Sequence, residues 1–173
     1  MIGELANIEM KKVSKEAAEA AILSRFMIAY HKRFGITFTQ IHHRDKPDFE
    51  VNHPLTNERI GIEVTGVYQN EMEARIQNGA GESWDAYESS LEELLKSINA
   101  RLVKKAKKSR KYEFKGRMFL VIWLGSIAFN QKIDMDFIRP RIIVPKSEFG
   151  EIWLVISEKR EGSPLLYPLQ IRK

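Results

Sequence analysis

The stretch PDFEVNHPLTNERIGIEVT, residues 47–65, decides how this chain is read. Pro47 to Val51 and Gly61 to Thr65 both read as short strands, and Pro54 to Asn57 between them reads as a turn. Strand side chains alternate faces, so Asp48 and Glu50 share one side, and Glu63 and Thr65 share the side opposite Ile62 and Val64. A hairpin folding back near Leu55-Thr56 brings Asp48 and Glu63 side by side. Two carboxylates held together repel each other unless a cation lies between them. Mg²⁺ suits such a pair, because it takes a few carboxylate oxygens and keeps several waters.

The 173 residues fit one domain, 1–173, with 43% hydrophobic and 29% charged residues, an ordinary globular composition. Cysteine is absent, which excludes disulfides and thiolate zinc sites and is compatible with a reducing, cytoplasmic setting. The N-terminus has no apolar signal-like region and no stretch approaches a membrane span, so no membrane association is expected. The net charge of +5 leans toward polyanions, and its placement says more than its sum. Eight of the fourteen residues from Lys104 to Arg117 are Lys or Arg, interrupted by Tyr112 and Phe114. Such a strip can follow a phosphate backbone, or it can be a solvated helix end whose lysines favour the negative pole of the dipole.

Around the hairpin the chain orders itself as helix, strands, helix, strand, strand. Ser14 can cap a helix running to about Phe34, which Gly35 would end. Two or three strands follow across Ile36 to Val67. Asn78 to Glu82 forms a break, and Ser83 can cap a second helix reaching about Lys108. Met118 to Leu124 and Glu151 to Ser157 are apolar enough for strands buried on both faces, and Tyr167 to Ile171 suits a short edge strand. The stretch from Ser126 to Gly150 is either a short helix or loop.

Two charged residues fall on apolar stripes. Glu19 lies near the middle of the stripe formed by Ile22, Leu23, Phe26, Ala29, Tyr30 and Phe34. There it either keeps to the exposed edge or finds a buried partner, since an unpaired buried carboxylate costs several kcal/mol. Lys105 extends the stripe Trp84, Tyr87, Leu91, Leu94, Leu95, Ile98, Leu102 by one turn. It either snorkels its ammonium to water or reaches over the sheet to the acidic pair.

Taken together, these residues resemble the PD-(D/E)XK, or restriction-endonuclease-like, nuclease superfamily. The resemblance covers about Ser14 to Leu124. Pro47-Asp48 stands for the "PD" and Glu63-Val64-Thr65 for the "(D/E)XK", with Glu19 as the first-helix acid. It implies a three-layer α/β core, a mixed central sheet flanked by helices in the order α-β-β-β-α-β, with further strands after it. It also implies a metal-dependent phosphodiesterase acting on nucleic acid, DNA before RNA. Asp48, Glu63 and the Val64 backbone carbonyl would hold Mg²⁺ or Mn²⁺, and Glu19 a metal-bound water or a second ion. Thr65 replaces the motif lysine, so Lys105 would supply the missing charge while Thr65 or Gln69 hydrogen-bonds water. Lys104, Lys107, Lys108, Arg110, Lys111, Lys115 and Arg117 would grip the backbone.

The other readings are a nuclease fold that binds nucleic acid without turnover, and an unrelated α/β protein whose acids and basic strip are surface features. His31, His42, His43 and His53 lack metalloprotease spacing and read as structural or surface residues. Trp84, Trp123 and Trp153 read as core. No phosphate-loop or serine-hydrolase pattern occurs. The oligomeric state stays open, with a homodimer as one option.

Overall fold

A computed structural model describes residues 2–67, 84–124, 131–157 and 163–173. Helix α1 spans Ile2–Phe34 and is followed by strands β1 (Thr39–His43), β2 (Phe49–Asn52) and β3 (Arg59–Val67). Helix α2 (Trp84–Ser109), β4 (Arg117–Leu124), α3 (Gln131–Ile138), a 3-10 turn (Arg139–Arg141), β5 (Glu151–Ser157) and β6 (Pro164–Ile171) complete the described elements. The described residues therefore form an α/β fold with one open, mixed, six-stranded sheet. Its strand order is β1-β2-β3-β4-β5-β6. β3, β4 and β5 run parallel to one another, β2 and β6 flank them antiparallel, and β1 pairs antiparallel with β2. Parallel neighbours need crossovers, and α2 lies between β3 and β4 in the chain.

α1 begins twelve residues before the expected cap at Ser14. The physical reason is composition: Glu4, Leu5, Ala6, Glu9, Met10, Lys11 and Lys12 are strong helix formers, and no proline intervenes. Its other end is where the sequence places it. Gly35 takes φ +68° and its N–H donates to the His31 carbonyl at 2.7 Å, the left-handed closure glycine favours. The break at Asn78 to Glu82, the Ser83 cap, Gln69 and the side chains of Trp84 and Tyr87 lie outside the described residues. Of the Ser126–Gly150 stretch, the described residues form α3, the 3-10 turn and then a segment without regular secondary structure. β6 starts three residues earlier than expected, and carries Pro168 where its pairing to β5 is irregular at Ile152/Trp153. A proline is tolerated on such an edge strand.

The strand pattern divides the core into two faces. Ile60, Ile62 and Val64 of β3, with Phe119, Val121 and Trp123 of β4, pack with Ile22, Leu23, Phe26, Ala29 and Tyr30 of α1. Met118, Leu120, Ile122 and Leu124 of β4 turn the other way, onto Leu91, Leu94, Ile98 and Leu102 of α2 and Met135 and Ile138 of α3. β4 is thus buried on both faces, as its unbroken apolar run requires. Trp123 and Trp153 are core residues, 6% and 1% exposed. No described helix is long and apolar enough to cross a membrane.

Candidate functional site

The hairpin register is the one the sequence predicts. β2 and β3 pair Phe49↔Ile62, Glu50↔Gly61, Val51↔Ile60 and Asn52↔Arg59, around a turn at Pro54 to Thr56. One further step sets Asp48 opposite Glu63. The Asp48 N–H donates to Glu63 Oε2 at 3.3 Å. β2 pairing ends at Phe49, so the next amide along that edge of β3, that of Val64, has no strand partner there. Asp48 Oδ2 accepts it at 2.9 Å. A strand residue points its N–H and C=O to the same edge, so the Val64 carbonyl opens toward Asp48 too. Gly61 permits this approach. A Cβ there would stand 2.7 Å from the Pro47 ring and 3.1 Å from the Phe114 ring.

Asp48 and Glu63 are buried, 8% and 3% exposed. Burial first, and then the charge of Glu63, push the Asp48 carboxyl up to about 7, against the opposing pull of the Val64 amide. Among the described residues its Oδ1 accepts no hydrogen bond. Glu63 is more fully held: Oε1 receives the Lys105 ammonium at 2.5 Å and the Tyr112 hydroxyl at 2.8 Å. Lys105 does not snorkel to water; it reaches over the sheet, and its side chain is only 12% exposed. Chain reversal after α2 brings Tyr112 there, through Tyr112 N–H to the Ser109 carbonyl and a Ser109 hydroxyl bonded to Ala106. Burial and then Glu63 raise the Tyr112 pKa, so the hydroxyl stays protonated and donates.

These groups line one cleft of about 670 Å³ between α1 and α2. Glu19, Asp48, Glu63, Val64, Thr65 and Lys105 all face it. Glu19 is neither unpaired nor fully exposed. Its side chain is 13% exposed, bonded to His43 Nε2 at 3.1 Å and 3.6 Å from the Lys15 ammonium. Thr65 is buried, and its hydroxyl makes no hydrogen bond among the described residues. No group of three or more His, Cys, Asp or Glu at metal-holding spacing occurs among the described residues.

The basic strip divides. Lys108 and Lys111 line the cleft, joined by Lys15, Lys46 and Arg101, none of which the sequence pattern singles out. Cations crowd Lys108, whose pKa is lowered by Lys105 first, then by burial and Lys104. Lys104, Lys107 and Arg110 are exposed and lie outside the cleft. Lys115 lines a neighbouring recess with Phe114. The Arg117 guanidinium is occupied, 2.6 Å from Glu151 and 3.6 Å from Glu58. Tyr112 and His43 also escape the sequence reading. Tyr112 lies beyond the end of α2, so helical spacing gives no signal for it, and His43 carries none. His53 is structural, its Nδ1 facing the amides of Leu55 and Thr56 in the hairpin turn. Compared with protein-family models, with curated proteins and with solved structures, the chain matches none.

Proposed function

We propose that the chain is a metal-dependent nuclease with a restriction-endonuclease-like core, hydrolysing phosphodiester bonds of nucleic acid, DNA in the first instance. The observation that supports this most is the pairing of Asp48 with Glu63 in a cleft whose rim is cationic. An isolated acidic pair would be a poor anchor for a polyanion. One flanked by Lys15, Lys46, Arg101, Lys108 and Lys111 offers a phosphate a positive wall beside two carboxylates.

The donor set fits Mg²⁺ or Mn²⁺. Mg²⁺ is commonly bound by one or two carboxylates together with substrate phosphates, so a cluster of three acids is not required. Asp48 Oδ1, Glu63 and the Val64 carbonyl are the atoms that would hold it, and the proton affinity of Asp48, raised by burial first and by the Glu63 charge second, is what such an ion would oppose. When bound, the ion would acidify a water and polarise the scissile phosphate. The remaining roles belong to the chain itself. Lys105 holds Glu63 in place and sets a fixed positive charge beside it, where a motif lysine would otherwise act. Tyr112 directs a second hydrogen bond to the same Glu63 oxygen, which limits its rotation. Glu19, steadied by His43, presents a carboxylate to the cleft that can accept a hydrogen bond from water. Thr65 offers a hydroxyl on the same wall.

Incubating wild type, Asp48→Ala, Glu63→Ala and Lys105→Ala with plasmid DNA, linear DNA and RNA in Mg²⁺ or Mn²⁺ tests the reading. Cleavage by wild type that disappears in the first two variants and falls in the third is expected. Binding without cleavage in every arm would instead assign a nucleic-acid-binding protein on the same fold. Lack of both would refute the reading.

A further inference from the structure

Beside the cleft lies a recess of about 630 Å³ lined by Arg44, Arg59, Tyr112, Glu113, Phe114 and Lys115. Its construction is more ordered than that of a casual basic patch. Glu50 lies between two arginines, 2.8 Å from Arg44 Nη1 and 2.6 Å from Arg59 Nε. The same two guanidinium groups stand over the Phe114 ring, at 5.3 Å and 5.8 Å from its centroid. A carboxylate and an aromatic ring therefore fix both planar cations, so little side-chain freedom remains to be lost when an anion arrives. A guanidinium has five N–H donors, and each bond to Glu50 uses one. Most donors on both groups stay available, with the Lys115 ammonium beside them.

The recess also adjoins the carboxylate cleft. Tyr112 lines both, and its hydroxyl is bonded to Glu63. Arg44 lines the recess and also a third hollow shared with Glu19, His43 and Asp48. An anion on Arg44 and Arg59 would thus sit next to the Asp48–Glu63 pair, along the surface.

We propose that Arg44 and Arg59, braced by Glu50 and Phe114, form a subsite for a phosphodiester group neighbouring the one in the carboxylate cleft, so that a bound strand runs past Tyr112 from one to the other. The subsite rests on the nuclease reading for the identity of its ligand. It makes Arg44 and Arg59 positioning residues. The same chemistry serves a single strand or one strand of a duplex. It also predicts a minimum substrate: an oligonucleotide must extend beyond the cleft to gain from the recess.

Fluorescence anisotropy in EDTA, where cleavage is silent, tests this with labelled dinucleotide, a 12-mer single strand and a 12-bp duplex. Wild type is compared with Arg44→Ala/Arg59→Ala and, as a variant that keeps both charges, Phe114→Leu. Melting curves recorded in parallel check that each variant folds. For the 12-mer or the duplex, the double variant is expected to lose about tenfold or more in affinity. The slope of log K against log salt should become shallower by about 0.7 for the single strand, the share of one phosphate contact. Phe114→Leu should lose affinity with the slope unchanged, and dinucleotide affinity should be alike in all three proteins. Whichever of the two long ligands shows the loss identifies the strand form. If the folded double variant binds both with wild-type affinity and slope, the subsite is refuted and the nuclease reading stands. If the double variant does not fold, Phe114→Leu binding at wild-type strength refutes the subsite, and weakened 12-mer binding at unchanged slope supports it. If wild type binds neither long ligand and also fails to cleave in Mg²⁺ or Mn²⁺, both readings fall.

Discussion

Asp48→Asn separates the burden of the site from its use. The substitution keeps an oxygen to accept the Val64 amide, which Asp48 Oδ2 accepts at 2.9 Å, and removes a charge that burial and Glu63 both oppose. The folded-state value of about 7 lies above the ordinary 3.8, so the native protein holds the proton that the unfolded chain has released. Between these values the unfolded state binds fewer protons, and wild-type stability falls as pH rises from about 4 to about 7, then levels. The gap between the two values, at about 1.4 kcal/mol per pH unit, sets a ceiling of about 4 kcal/mol for the cost at pH 8. At pH 5 only about a third of that cost has accrued. Asn escapes it at either pH. Without divalent ions, the variant should melt above wild type by about 5–15 °C at pH 8 and by a few degrees at pH 5, since 1 kcal/mol moves a chain of this size by about 2–4 °C. Adding Mg²⁺ at pH 8 should raise the melting temperature of wild type and leave the variant unmoved. A variant that melts at or below wild type at pH 8, or gains equally at both pH values, would refute the electrostatic account of the pair.

Lys105→Met strands Glu63 next to Asp48, and removing one partner of a buried pair should cost about 3–5 kcal/mol in urea unfolding at pH 8. Tyr112→Phe removes one donor to Glu63 and should cost about 1 kcal/mol by the same assay, with Lys105 still in place. Gly61→Ala drives a methyl to 2.7 Å from the Pro47 ring, and about 1–3 kcal/mol of destabilisation is expected, together with weaker Mn²⁺ binding in calorimetry because Pro47 carries Asp48. Ile98→Ala empties a fully buried position under α2 and should cost about 2–5 kcal/mol without altering nucleic-acid affinity in the folded fraction.

Much of the framework is legible without coordinates because it depends on local periodicity. Alternation across residues 47–65, with a turn at Pro54, sets both the register and the meeting of Asp48 with Glu63. The unbroken apolar run of β4 implies burial on both faces, and Gly35 implies the end of α1. Charge on a helix is harder to read. Spacing places Lys105 on the buried stripe of α2, yet whether its ammonium turns to water or to Glu63 depends on the distance between α2 and β3, which no helical pattern encodes. Glu19 was open for the same reason: its partner His43 stands twenty-four residues away on an edge strand.

Periodicity within short segments was enough to determine the hairpin, the two long helices with the buried strands, and the adjacency of two acids, since each follows from the backbone repeat of its own stretch; the strand count before α2 and the helix α3 were not determined by it. Only the packed molecule decided which cations face those acids. Lys15, Lys46, Arg101 and Lys111 come from separate stretches of the chain, and Glu50 and Phe114, distant in sequence, both hold Arg44 and Arg59. Such contacts are set by how α1 and α2 close over opposite faces of one sheet, a long-range outcome of burying two apolar faces at once.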